Sequence, residues 1–174
     1  MNEEDDKIKQ LLFSCCSANI ELAFAIGQNT EEIALEEFQE LFDFINLNPI
    51  YKNQQRFYNR FNTKDKLKYW LNRTSINVSN KKLKKLPKNI EVLKNLEVLF
   101  IHRNNLSELP INFENLSSLY KLNLCYNKFE KFPTVLLKMK NLQYLHLEGN
   151  KFSTEEKQKF QGMFPNALVT FDAF

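Results

Sequence analysis

The sequence predicts an α/β fold: a short solenoid with a parallel concave sheet, preceded by an all-α N-terminal capping domain. Three observations carry this expectation. A 23-residue frame recurs from residue 73 to residue 152, with leucine, asparagine and proline in phase. Residues 1–72 instead keep the apolar spacing of helices. The charge balance reverses at the same boundary, from 8 Lys/Arg against 12 Asp/Glu before residue 73 to 16 against 9 from there on.

The N-terminal elements follow from apolar periodicity and capping. Ile8, Leu11, Leu12 and Cys15 share one face of a helix expected over residues 3–16. The stretch NIELAFAIG is a second helix, stopped at Gly27. Thr30 with Glu31 and Glu32 starts a third as a side-chain cap followed by acids in the first turn, with Phe38, Leu41, Phe42 and Ile45 as its buried stripe. After Pro49, NQQRFYNRF and TKDKLKYWLN supply two shorter helices. Leu67, Trp70 and Leu71 of the last are expected to cover the edge of the first repeat.

Two stretches show the repeat, LEVLFIHRNNLSELP from Leu96 and LYKLNLCYNKFEKFP from Leu119. The shared frame is L-x-x-L-x-L-x-x-N-x-L-x-x-L-P, continued at Leu142 and begun in weaker form at Arg73. It resembles the leucine-rich repeat family, whose period is about 20–29 residues. The Leu-Pro variant is similar to that of Ras-group intracellular and bacterial members. In such a frame the L-x-L segment is a short strand with leucines inward and the residues between them facing solvent. Asn104, Asn127 and Asn150 turn the chain and satisfy backbone groups of the adjacent coil. One coil cannot bury its own leucines, so coils must stack and the ends need caps. Arg73 in place of leucine, and Lys81 in place of asparagine with Asn80 one position early, mark a degenerate first unit. After Phe152 the frame gives way to a closing segment. There Ser153 and Glu156 form a capping-box pattern for a helix to about Met163, broken by Pro165, before a last strand with Leu168, Val169 and Phe171. The expected domains are thus 1–72, 73–152 and 153–174.

Composition narrows the function. No run reaches the roughly 18 apolar residues a membrane helix needs, and the acidic MNEEDD start is unlike a secretory leader. Cys15, Cys16 and Cys125 are an odd number without metal-ligand spacing, which fits a reducing, cytoplasmic setting. The four Asn-x-Ser/Thr triplets, from Asn72, Asn77, Asn105 and Asn115, then carry no meaning. Gly-rich phosphate loops, H-E-x-x-H helices and nucleophile elbows are missing from the sequence, so an enzyme is not expected and no cofactor is implied.

Projecting the frame gives the concave positions. They are Ser75, Asn77 and Ser79, then Val98, Phe100, His102 and Arg103, then Lys121, Asn123, Cys125 and Tyr126, and last Tyr144, His146 and Glu148. Phe100, Tyr126 and Tyr144 place aromatics where solvent is expected, beside Arg103 and Lys121. Aromatics and arginine dominate interface energetics, and the resemblance implies binding through this face. The reading is a non-catalytic protein-interaction module, an adaptor or scaffold, with basic residues favouring an acidic protein partner. Neither nucleic acid nor membrane is expected as partner. Two alternatives stay open. His102, Cys125 and Glu148 share one repeat position, with His146 diagonal to an exposed Cys125, a set that zinc or thiol chemistry uses. The array is otherwise a structural unit of a larger assembly. Lys81, Lys82, Lys84, Lys85 and Lys88 read as a solvated edge, with Leu83 and Leu86 buried between them.

Overall fold

The computed structural model describes residues 3–14, 17–26, 30–47 and 62–171. The expectations for Cys15, Cys16, Gly27, Pro49 and the 53–61 helix lie outside them. Among the described residues four helices come first: α1 Glu3–Phe13, α2 Ser17–Ile26, α3 Thr30–Asn46 and α4 Thr63–Leu71. Helix α1 opens on Glu3, Glu4, Asp5 and Asp6, which suit the positive end of the helix dipole, and buries Ile8 and Leu12. It ends at Phe13, earlier than its apolar period suggests. Helix α3 buries Ala34, Phe38, Leu41, Phe44 and Ile45. The stripe centres on Leu41, so Phe42, about 100° round the helix, is only half buried and leans on Phe38 with ring centroids 6.3 Å apart. Thr30 sends its hydroxyl back to the Ala23 carbonyl, 3.0 Å away, and so joins α3 to α2. Helix α4 is capped by Asn62, whose side chain accepts from the Asp65 N–H at 2.9 Å. Lys64 and Lys68 of α4 both reach Glu21 of α2.

The array follows as five parallel three-residue strands in sequential order: β1 Ser75–Asn77, β2 Val98–Phe100, β3 Lys121–Asn123, β4 Tyr144–His146 and β5 Leu168–Thr170. The register aligns Ile76, Leu99, Leu122, Leu145 and Val169 as the inward row. The first four are buried, each leucine contributing about 1.5–3 kcal/mol relative to exposure. The chain returns on the convex side through short 3-10 turns at Ile90–Val92, Ile111–Asn115 and Thr134–Lys138. Pro110 and Pro133 stand at the head of the second and third turns in extended conformation. Proline suits that place because a turn's first N–H has no internal partner.

The asparagines join coil to coil. Asn127 accepts from the Leu106 N–H and donates to the carbonyls of Ile101, one coil back, and Leu124, in its own coil. Asn104 serves Lys81, Leu83, Val78 and Ile101 in the same way, and Asn150 serves Phe129, Leu124 and Leu147. The residue before each of these positions, and before Lys81 at the matching place in the first unit, has a left-handed backbone: Asn80 (φ 58), Arg103 (φ 54), Tyr126 (φ 53) and Gly149 (φ 69). This explains the early asparagine of the first unit, since Asn tolerates that conformation better than other non-glycine residues.

The closing segment differs in detail from its sequence pattern. Helix α5 covers Thr154–Phe160 and stops short of Met163. Ser153 caps it, accepting from the Glu156 N–H at 3.1 Å. The Glu156 carboxylate instead accepts the Phe132 N–H of the previous coil at 2.9 Å, so its bond crosses to the neighbouring coil. Phe132 stacks on Phe160 at 4.2 Å and leans on Phe164 at 5.6 Å, forming an aromatic plug at this end. At the other end Leu67, Trp70 and Leu71 of α4 are buried in the same cluster as Ile76 and Val78. Arg73, where the frame expects leucine, lays its guanidinium over Tyr69, 4.1 Å from the ring centroid. Among the described residues one hydrophobic cluster runs from Ile8 to Phe160.

Candidate docking surface on the concave sheet

The pleat sets the concave residues in rows across the strands. Ser75, Val98, Lys121, Tyr144 and Leu168 are register partners in one row, and Asn77, Phe100, Asn123, His146 and Thr170 in the next. Ser79, His102, Cys125 and Glu148 follow just beyond the strands, and the left-handed column of Arg103 and Tyr126 forms the rim.

The three aromatics separate into two places. Phe100 and Tyr144 flank Lys121, whose Nζ lies 5.7 Å and 5.8 Å from their ring centroids. Tyr126, 50% exposed, stands at the rim with the Arg103 guanidinium 5.5 Å from its ring centroid. Tyr144 is 41% exposed, with Tyr120 packed edge-on against it. Val98 and Asn123 are half buried, and Asn123 turns its side chain onto the Cys125 N–H at 3.0 Å.

The polar cluster is real in position and different in chemistry. Cys125 is 8% exposed and not solvent-facing, because Glu148 lies against its sulfur. The thiol donates to Glu148 Oε2 at 2.5 Å, and Thr170 donates to Oε1. The single Thr170 hydroxyl proton is thereby committed, so the 3.1 Å bond to His146 runs from Nδ1–H to Thr170 Oγ1. His102 points the other way, with Nδ1 2.8 Å from Ser79 Oγ. Burial first, then the donated bond to the carboxylate, pushes the Cys125 thiol up to about 12. An activated thiolate needs the opposite shift. Burial pushes the Glu148 carboxyl up, but the bonds from Cys125 and Thr170 outweigh it and leave the pKa lowered. Burial, reinforced by the Arg103 charge, lowers that of His102. Among the described residues no group of three or more His, Cys, Asp or Glu side chains is placed to hold a metal ion. Thr170 was invisible to the frame because it arrives from the closing strand, outside the repeats. Its one clue is the place between Val169 and Phe171.

The lysine run lies between β1 and the 3-10 turn at Ile90–Val92. Leu86 is buried and Leu83 half buried between the lysines, and none of the five lysines is in an ion pair among the described residues. A groove of about 380 Å³ separates Lys85 and Lys88 from Glu40 and Asp43 of α3. Among the described residues no helix is long and apolar enough to cross a membrane.

A leucine rich repeat family model matches residues 110–152, and a second matches residues 95–116. Over residues 95–152 the chain therefore carries leucine-rich repeats. A leucine-rich repeat protein of Leptospira interrogans superposes with a TM-score of 0.53 at 35% identity, over 56% of this chain and 25% of that one. The repeat ectodomain of the membrane receptor kinase GASSHO1/SCHENGEN3 of Arabidopsis thaliana, in complex with Casparian strip integrity factor 2, gives 0.41 at 29% identity, over 51% and 11%. An internalin of Listeria monocytogenes gives 0.39 at 15% identity, over 56% and 34%. The chain therefore spans about a quarter of the length of the leptospiral protein. No curated protein matches it. Leucine-rich repeat domains generally mediate protein–protein interaction and are typically non-enzymatic.

Proposed function

We propose that the chain is a non-catalytic protein-interaction module, an adaptor or small scaffold acting in the cytoplasm, which docks a protein partner on its concave face. The observation that carries this is the pair of ring-mounted cations there, Lys121 between Phe100 and Tyr144, and Arg103 on Tyr126. Strand and turn hold these side chains in place, so little conformational freedom is lost on association. Residues 1–72 and 153–174 serve as caps of the 73–152 array in this reading. The protonated Cys125 speaks against a thiol-dependent site.

The test is quantitative affinity purification with the wild-type chain and a Phe100→Ala/Tyr126→Ala/Tyr144→Ala variant, both checked by circular dichroism. A partner retained by the wild type and lost by the folded variant is the expected result. Partners held equally by both place the docking surface elsewhere and overturn the reading.

A further inference from the structure

We infer that the partner offers an extended acidic segment, whose carboxylates are received by Lys121 and Arg103. This rests on the concave-face reading above and adds the partner's chemistry. Five lysines elsewhere, Lys9, Lys64, Lys68, Lys138 and Lys151, sit on carboxylates, and the lysine run at 81–88 is largely open to solvent. Lys121 and Arg103 are in no ion pair among the described residues and lie against rings instead. A ring attracts a cation through its face but leaves most of its N–H donors unused. Glu148, the acid among the concave positions, is turned onto Cys125 and Thr170. The face therefore presents cations while its own carboxylate is engaged.

The rim shows that this presentation is held at a cost. The left-handed backbone costs an ordinary residue about 1–2 kcal/mol. In the same column Asn80 and Gly149 are residue types that adopt it readily, whereas Arg103 and Tyr126 are not. Gly149 also makes room for Tyr126, because a Cβ there would come within 2.4 Å of the ring's Cδ1. The ring is thus seated on the glycine, and the guanidinium on the ring.

Lys121 lies at the start of β3, and Arg103 just past the end of the neighbouring β2. At strand spacing and rise their α-carbons are roughly 17 Å apart, about five residues of an extended peptide. The occupant is a strand-like segment with two acids at that interval.

The test is selection from a displayed library of random peptides of about twelve residues, long enough to span both cations. The bait is the full chain, and selected peptides are titrated against variants confirmed as folded. The expected result is enrichment of two Asp/Glu residues about five positions apart. Affinity should fall about tenfold with Arg103→Gln or with Lys121→Gln, and stay within about twofold with Lys85→Gln. Selected peptides that lack acids yet are lost by Tyr126→Ala would overturn the acidic segment and leave concave docking standing. No selected peptide, or peptides indifferent to Tyr126→Ala and Phe100→Ala, would count against both. Tighter binding through the same two cations to phosphatidylserine vesicles or to an oligothymidylate would also overturn the inference, in favour of a lipid or nucleic-acid anion.

Discussion

At the scale of single residues, Gly149 and Tyr126 constrain each other. Gly149→Ala places a methyl group against the Tyr126 ring and an L-residue at φ 69. The expected loss is about 2–3 kcal/mol by urea denaturation, of which about 1 kcal/mol remains when Tyr126→Ala is also present, since only the backbone term survives. Cys125 and Glu148 give stability a pH dependence at both ends. The Cys125 pKa is raised from 9.0 to about 12 on folding, so its contribution is complete below pH 9.0 and is lost as pH climbs toward 12. That of Glu148 is lowered from 4.5, so its contribution is complete above pH 4.5 and is lost as pH falls through the folded value. Cys125→Ala should reduce the alkaline loss measured by urea midpoints across pH, leaving the part that Lys9 and Lys64 contribute. The row of His102, Cys125 and Glu148 was legible from repeat phase alone. The burial of Cys125 was not, because phase tells which way a side chain points and not what the next coil lays over it.

At the scale of elements, the asparagine ladder is the most exposed to test. Asn127→Ala leaves the Leu106 N–H and the Ile101 and Leu124 carbonyls short of a partner, and should cost about 3 kcal/mol or more. Ser153→Ala removes the α5 cap and should cost about 1 kcal/mol. The ladder was readable in the sequence because every coil asks the same thing of one position. Glu156 was misread because its nearest demand in sequence, a capping box, lost to the Phe132 N–H that only stacking brings near. The choice of Phe44 over Phe42 is likewise decided by neighbouring elements, which local periodicity does not contain.

At the scale of the molecule, the continuous core makes the helices and the array one cooperative unit. Trp70→Ala opens the cluster where α4 meets the first coil, and should cost about 3–5 kcal/mol. Helical and sheet signals should still be lost in a single transition. The solenoid and its helical lead-in were legible because repetition and charge both break at one boundary. The separation of the concave aromatics into two cation-bearing places was not, since it depends on rotamers and on the ring space left by Gly149. The most direct measurement of the central claim is photo-crosslinking with benzoylphenylalanine at Asn123, in the middle of the concave face, and separately at Ile111, which is 70% exposed on the convex side. The account predicts that the partner crosslinks at position 123 and not at 111. Crosslinking at 111 alone would contradict it.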